Sequence, residues 1–319
     1  MSFKSIQELV EGVKSNIGKV IVGKEEAAEL LIIALITSGH VLLEDVPGTG
    51  KTLLAKSLAK SLSLRFRRIQ FTPDLLPSDL SGIHYFNQKE GDFQFRPGPL
   101  FTNLLLADEI NRATPRTQSS LLECMEERQI SVDGETMVLE RPFMVIATQN
   151  PIEHQGTFPL PEAQLDRFLF KIKMGYPTTE EGLELLKRFA ADDPLQELQA
   201  VAGAALIQQA QQSYRSVKIS DDVLAYLLAL VESTRQHEDV SIGVSPRGSQ
   251  ALLRACQVHA ILRGRDFVTP DDVKAMAEPV LAHRLALRGI QRGSDAAGRV
   301  IKEIISKAAV PAEVGLAAQ

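Results

Sequence analysis

The sequence predicts an α/β core with a parallel sheet, followed by a smaller domain made only of helices. In the first half, near-continuous apolar runs such as residues 104–107 alternate with segments of helical period, which is typical of a sheet covered by helices on both faces. After Tyr176-Pro177 the strand patterns stop and helical patterns recur. We therefore expect domains at residues 1–176 and 177–319.

The elements of the predicted core follow from the spacing of apolar residues. Helical spacing predicts helices at 3–17, 25–37 and 115–128 and a helix that runs from a turn at 50–52 to about residue 62; short apolar runs predict strands at 40–44, 65–71, 104–108 and 143–149.

Two features interrupt this alternation. Residues 129–132 and 136–139 flank Asp133-Gly134, a turn dipeptide that predicts a hairpin over 129–140. Residues 72–99 contain four prolines and three glycines. This segment is too long for an ordinary connection, so we interpret it as a functional insert.

The second half begins with a helix-start signal. Thr178 and Glu181 form a capping-box pattern for a helix that ends near residue 190. Further helical patterns lie at 198–216, 221–237, 246–263 and 271–284, and no segment of this half has a strand pattern.

The composition is that of a globular enzyme-sized protein. The 319 residues are 44% hydrophobic and 24% charged, and the net charge of −5 argues against a protein that mainly grips nucleic acid. Cys124 and Cys256 are far apart and lie on predicted helices, which favours core thiols in a reducing compartment. The N-terminus lacks the pattern of a signal peptide, and the longest apolar run, residues 30–36, is too short to cross a membrane. We expect a cytoplasmic protein.

Residues 41–62, VLLEDVPGTGKTLLAKSLAKSL, have the pattern of a buried strand, a Gly/Pro turn and a helix. The backbone N–H groups of such a turn and the helix N-terminus bind phosphates, Lys51 would reach the β- and γ-oxygens, and Thr52 would ligate Mg²⁺. The usual pattern has glycine at the position of Asp45. Aspartate tolerates turn conformations but places a carboxylate near an anionic ligand. The motif by itself predicts nucleotide binding and leaves hydrolysis open.

Polar residues also follow two other apolar runs. Asp108 and Glu109 end LLLADE, and Asn150 follows FMVIATQ. At the carboxyl ends of parallel strands, Asp108 would hold the shell of Mg²⁺, Glu109 would polarise the attacking water, and Asn150 would orient it. The alternative for Asp108 and Glu109 is a strand end capped by solvated acids, and the alternative for Asn150 is an Asn-Pro turn.

Two arginines are candidate ligands of phosphate. Arg167 lies beside Asp166 in LPEAQLDRF, and Arg247 lies at a predicted helix start in SPR. A cation at a helix N-terminus opposes the helix dipole, which favours an anionic partner for Arg247. An ion pair between Arg167 and Asp166 and a solvent-facing Arg247 are the alternatives, and spacing does not decide between them.

The ordered set PGTGKT, LLLADEIN, ATQNP, LPEAQLDRF and SPR resembles the AAA+ ATPases, and closely resembles their MoxR branch, over essentially the whole chain. The first two segments are then the Walker A and Walker B motifs. The resemblance makes Asp45 a family trait. It also implies a three-layer αβα P-loop core with a parallel sheet, followed by a smaller all-α lid.

The resemblance implies a role for each candidate residue. The nucleotide-binding residues would be Val22, Gly23, Pro47, Gly48, Thr49, Gly50, Lys51, Thr52 and Leu53, and the metal ligands Thr52 and Asp108. Glu109 would activate water, Asn150 would be the first sensor, and Arg247 on the lid the second. Arg167 resembles an arginine finger that acts on the nucleotide of a neighbouring subunit. Arg112 is a further candidate for that interface.

The family also implies how the two interrupting segments are used. Residues 72–99 resemble its helix-two insert and the hairpin at 129–140 its pre-sensor hairpin. Tyr85 and Phe86 in the insert are candidate contacts to a client protein.

The implied function is that of a Mg²⁺-dependent ATPase in a homo-oligomeric ring, expected to be a hexamer. MoxR-type proteins resemble chaperones that act on proteins often carrying a von Willebrand factor A domain, in metal insertion or in maturation of complexes. One alternative is a nucleic-acid motor or loader, against which the acidic charge and the 5% aromatic content weigh. Another is a nucleotide-gated scaffold with little turnover.

Overall fold

The computed structural model describes residues 1–44, 46, 48–150, 156–190, 193–289 and 295–311. The chain divides into two compact units: Glu8–Gln211, and Met1–Gln7 together with Gln212–Gln319. The sequence predicted a boundary at 176/177, so residues 177–211 belong with the first unit rather than with the second.

The first unit contains the α/β core. Apart from the start of α1 and the end of α9, which fall in the second unit, its helices are α1 (Phe3–Gly18), α2 (Glu25–Ile36), α3 (Lys51–Ser61), α4 (Pro77–Ser81), α5 (Pro115–Glu127), α6 (Glu162–Leu165), α7 (Thr179–Phe189), α8 (Pro194–Glu197) and α9 (Ala204–Ser213). Its strands are β1 (Val41–Glu44), β2 (Phe66–Gln70), β3 (Gly82–Asn87), β4 (Asp92–Pro97), β5 (Leu104–Asp108), β6 (Gln129–Val132), β7 (Glu135–Val138), β8 (Met144–Gln149) and β9 (Phe170–Ile172).

Five strands form one parallel sheet in the order β2-β5-β8-β1-β9. The three central strands are buried along nearly their whole length, which explains their continuous apolar runs. The four strands predicted for this sheet are confirmed, with ends that differ by a residue or so. β9 was not predicted, because its three residues are too few to carry a period.

The two interrupting segments are separate hairpins. β6 and β7 pair through a turn in which Asp133 and Gly134 have φ of 52° and 86°, so the predicted hairpin is confirmed. The insert consists of α4 followed by the antiparallel pair β3–β4. The residues of that pair include the exposed aromatics Tyr85, Phe86 and Phe93.

Long-range polar contacts attach residues 177–211 to the first unit. Arg188 at the end of α7 donates from Nη1 to the Gly18 carbonyl at 2.5 Å. Lys60 Nζ donates to two carbonyls of α8, and Asn16 Nδ2 donates to the Gln199 carbonyl at 2.9 Å. The change of pattern at Tyr176 therefore marks the end of the sheet and not the end of the unit.

The second unit contains α10 (Asp221–Gln236), β10 (Val240–Ile242), α11 (Pro246–Leu262), α12 (Pro270–Leu281), β11 (Ala286–Leu287) and α13 (Ala296–Lys307). β10 and β11 pair antiparallel, so the prediction of no strand in this half is wrong. These strands have three and two residues, which is too short for alternation to be visible. α13 was also not predicted.

A buried carboxylate joins α11 to α12. Asp272 accepts from both Nη atoms of Arg265, at 2.6 and 2.8 Å, and lies 2.6 Å from His259 Nδ1. Burial raises the pKa of Asp272, but the hydrogen bonds from Arg265 and His259 outweigh it and hold that pKa below its usual range.

Both cysteines lie buried on helices, as predicted: Cys124 on α5 and Cys256 on α11. Burial raises the pKa of the Cys124 thiol to about 12. Among the described residues, no helix combines the length and apolar character needed to cross a bilayer.

Candidate active site

The sheet order brings three predicted segments to one edge. β5, β8 and β1 are neighbours, and all run in the same direction. Their carboxyl ends lead to the Asp108-Glu109 pair, to Asn150 and to the loop before α3. The carboxyl edge of an open parallel sheet is where such folds bind ligands.

The loop before α3 is built for close approach of an anion. Gly48 and Gly50 have φ of 85° and 88°, a region that side chains disfavour, and Gly50 is the N-cap of α3. Lys51, the first residue of α3, donates from Nζ to the Val46 carbonyl at 2.9 Å, and Thr49 Oγ1 donates to the same oxygen at 3.3 Å. The first turn of α3 has no acidic residue to compete with an anionic ligand.

The other predicted nucleotide-binding residues flank this loop or lie between α1 and α2. Thr52 and Leu53 are half-buried in the first turn of α3. Gly23 has φ of 69°, and a Cβ there would lie 2.0 Å from Glu181 Oε1 at the start of α7. The Glu181 carboxylate is the end of a flexible side chain, so the positive φ is what favours glycine here. Asp45 and Pro47 lie outside the described residues.

Asp108 is held from two sides. The residue is 6% exposed, its Oδ1 accepts from Thr148 Oγ1 at 3.2 Å, and its Oδ2 accepts from Arg68 Nε at 2.5 Å. Thr148 lies on β8 and Arg68 on β2, so the two strands on either side of β5 both contact this carboxylate.

Glu109 has an unusual backbone conformation. Its φ of 55° places it in the left-handed region, which is costly for a residue other than glycine and occurs often at functional sites. Its N–H donates to Thr148 Oγ1 at 2.8 Å. Its Oε2 accepts from Gln70 Nε2 at 2.6 Å and lies 2.9 Å from Arg112 Nε.

Arg68, Gln70 and Thr148 were not predicted from the sequence. Arg68 and Gln70 are two residues apart on β2, so their side chains lie on the same face of the sheet. The local sequence does not indicate that β2 lies next to β5. Thr148 is a polar residue within an apolar run, one residue before the end of β8. A polar residue at that position was the signal in the sequence that could have identified it.

The end of β8 provides further polar groups. Asn150 is 7% exposed and follows β8 directly. Gln149 pairs with Glu44 at the end of β1, beside the loop. Its Oε1 is buried and has no hydrogen-bond partner among the described residues. An unsatisfied buried acceptor at this edge, together with the loop, fits a polar ligand with donor groups or bound water.

Comparison with known proteins agrees with this geometry. Residues 40–170 match the model of the ATPase family associated with various cellular activities (AAA), and residues 232–307 match the AAA lid domain. The chain is 41% identical over 281 residues to Chaperone MoxR1 of Mycobacterium tuberculosis, covering 85% of this chain and 74% of that protein. It is 32% identical over 300 residues to Protein MoxR of Methylorubrum extorquens, covering 86% and 87%.

The chain belongs to the MoxR family of AAA+ ATPases. Bacillus subtilis YeaC, itself uncharacterized, is 49% identical over 304 residues, which is 93% of each chain. The crystal structure of a Cytophaga hutchinsonii protein assigned as an ATPase superposes with a TM-score of 0.89 at 37% identity, covering 97% of both chains. The resemblance read from the motifs is confirmed, and so is the fold class of an α/β AAA+ core with a helical lid. As a member of this family the protein binds nucleotide and is an ATPase.

The three candidate arginines of this member of the MoxR family differ in their surroundings. Arg167 follows α6, is half-buried, and donates from Nη1 to the Leu122 carbonyl of α5 at 2.6 Å. Arg112 contacts Glu109 of its own chain. Arg247 is the second residue of α11 in the second unit, where Ser245 caps the helix by accepting from the Gly248 N–H at 3.2 Å. Their roles between subunits or against the nucleotide stay predictions.

Proposed function

We propose that this protein couples hydrolysis of Mg-ATP to chaperone-like remodelling or maturation of partner proteins. The observation that supports it most directly is the convergence of the glycine loop, the acidic pair and Asn150 at the ends of three adjacent strands. A relative over most of the chain is named a chaperone. We further propose that the clients carry a von Willebrand factor A domain and that the work includes metal insertion.

In this proposal each residue has a chemical task. The backbone amides before α3 and the Lys51 ammonium bind the phosphates. Thr52 and Asp108 would hold Mg²⁺, which when bound neutralises charge on the phosphate oxygens. Glu109 polarises the attacking water. Its N–H is bonded to Thr148, and its carboxylate is oriented by contacts to Gln70 and Arg112.

Asn150 would orient the same water, since an amide can donate to one oxygen and accept from another. We propose that the active assembly is a homo-oligomeric ring, a hexamer, in the cytoplasm. Arg167 would act on the nucleotide of a neighbouring subunit, and Arg247 would contact the nucleotide from the lid.

The exposed apolar residues of the two hairpins are our proposed client surface. Phe86 and Phe93 are 52% and 66% exposed and pack edge-to-face against each other at 5.4 Å, and Val138 on the other hairpin is 75% exposed. Exposed aromatic pairs of this kind are typical of protein interaction sites.

A variant that binds ATP but does not hydrolyse it tests the proposed function. Glu109→Gln should bind ATP, lose at least about a hundredfold in turnover, and retain client protein from a lysate of the source cells in the presence of ATP. The control is Glu109→Gln combined with Lys51→Ala, which should bind neither ATP nor client.

Three outcomes would contradict the proposal. Retained hydrolysis by Glu109→Gln would reassign water activation. DNA binding that stimulates turnover and falls steeply with salt would favour the nucleic-acid motor. Single-turnover hydrolysis too slow to measure in the assembled parent protein would favour the scaffold.

A further inference from the structure

We propose that Arg68 is a positioning residue that competes with Mg²⁺ for the carboxylate of Asp108 and so sets the metal affinity of the nucleotide site. The inference rests on the proposed function, in which Asp108 belongs to a Mg²⁺ site, and it adds a regulatory residue on a different strand.

The contact between Arg68 and Asp108 is short and directional. Arg68 lies on β2, the edge strand of the sheet, and pairs in register with Leu106 of β5. Gln70, two residues later on the same face, pairs with Asp108. The Arg68 side chain therefore extends along β2 toward the end of β5 and donates from Nε to Asp108 Oδ2 at 2.5 Å.

Arg68 supplies the positive charge that this nearly buried carboxylate needs. The side chain of Asp108 is 9% exposed, and its other oxygen accepts from the neutral hydroxyl of Thr148. A carboxylate removed from water is costly unless it is paired. Within the part of the chain that the structure describes, the guanidinium of Arg68 is the cationic partner of Asp108.

Mg²⁺ and the Arg68 guanidinium are both cations that would be drawn to the carboxylate of Asp108. A divalent ion held by this carboxylate would repel the guanidinium, because partly buried charges are poorly screened. The Arg68 side chain is 51% exposed, so it can move into water at small cost. Binding of Mg²⁺ is thus expected to displace Arg68. The free energy of the contact between Arg68 and Asp108 then reduces the free energy gained by binding the metal.

β2 also supplies its own control. Arg67 is exposed and lies next to Arg68, but consecutive residues of a strand face opposite sides of the sheet. Arg67→Gln removes the same charge from the same strand without touching Asp108. Arg68→Lys keeps a positive charge within reach of the carboxylate.

The test is a Mg²⁺ titration of nucleotide binding. The full chain is equilibrated with N-methylanthraniloyl AMP-PNP, a fluorescent ATP analogue that is not hydrolysed, in Mg²⁺ buffers. For Arg68→Gln we expect the half-saturating Mg²⁺ concentration to be about fivefold lower than in the parent, the factor given by a partly exposed ion pair. Arg67→Gln and Arg68→Lys should stay within about twofold of the parent.

A purely structural role of Arg68 would lower the melting temperature of Arg68→Gln without shifting its Mg²⁺ midpoint. An unchanged or higher midpoint for Arg68→Gln would overturn the inference, as would an equal decrease in Arg67→Gln. If Arg68→Gln does not fold, a fivefold lower midpoint in Arg68→Lys would overturn the argument from charge. Absence of any Mg²⁺-dependent binding in the parent would instead refute the proposed function itself, and the inference with it.

Discussion

Acid should destabilise this protein through the buried side chain of His40. His40 stands directly before β1 and is 4% exposed. Its Nδ1 accepts from the Val145 N–H at 2.9 Å, and its Nε2 lies 3.0 Å from the Met125 carbonyl. An acceptor at one nitrogen and a donor at the other require the neutral ring with the proton on Nε2. Protonation of Nδ1 would therefore break the bond to β8.

The size of the effect follows from the pKa. Burial, the largest cause, lowers the pKa of His40 from 6.5 to about 4. The native state thus binds this proton less readily than the unfolded chain does. The associated stability is fully present above pH 6.5 and is lost as the pH falls through about 4. At about 1.4 kcal/mol per pH unit, the difference between 6.5 and about 4 amounts to about 3 kcal/mol.

Urea unfolding of the nucleotide-free chain between pH 7.5 and pH 4 measures this contribution. His40→Asn should be less stable than the parent at pH 7.5 but should lose about 3 kcal/mol less on acidification. Phe143→Leu is the matched control, because Phe143 packs edge-on against His40 at 5.8 Å and its loss leaves the titrating ring in place. If His40→Asn and Phe143→Leu lose stability with pH equally, the reasoning about His40 is refuted.

Two further predictions concern catalysis. Arg167→Ala should bind ATP and lose about 10³-fold or more in turnover. Mixing it with the equally inactive Glu109→Gln should restore activity at subunit junctions that combine an intact Glu109 with a neighbour's Arg167. An inactive mixture would exclude action in trans. Thr148→Val should lower the free energy of unfolding by about 1–3 kcal/mol and reduce kcat, because it leaves the Glu109 N–H without its acceptor and removes a donor to Asp108. Thr148→Ser keeps the hydroxyl and should stay near the parent in urea unfolding and steady-state assays. Equal behaviour of the two Thr148 variants would show that the hydroxyl contributes nothing.

The strands of the core could be predicted because buried strands have a recognisable local pattern of apolar residues. β5 and β8 are continuous apolar runs, and Asp133-Gly134 forms the left-handed turn that its residue types favour. The capping box at Thr178 is likewise local: its N–H donates to Glu181 Oε2 at 2.8 Å, and its Oγ1 accepts from the Glu181 N–H at 3.2 Å. Three-residue strands such as β9 carry no such pattern.

The boundary between the two units could not be predicted in the same way. It depends on contacts such as the one from Arg188 to Gly18, which joins residues far apart in the chain. The change in composition at Tyr176 was real, but it marked where strands end and said nothing about which unit the following helices pack against.

The sequence by itself determined the family, the glycine-containing loop before α3, and the strand ends that carry Asp108 and Asn150, because each is defined by residue types at short spacing. Only the tertiary structure decided what holds those groups. Arg68 and Gln70 reach Asp108 and Glu109 because β2 lies beside β5, and Thr148 reaches both acids because β8 lies on the other side. Strand order is set by packing and pairing between distant segments, and these interactions leave no periodic signal in the chain.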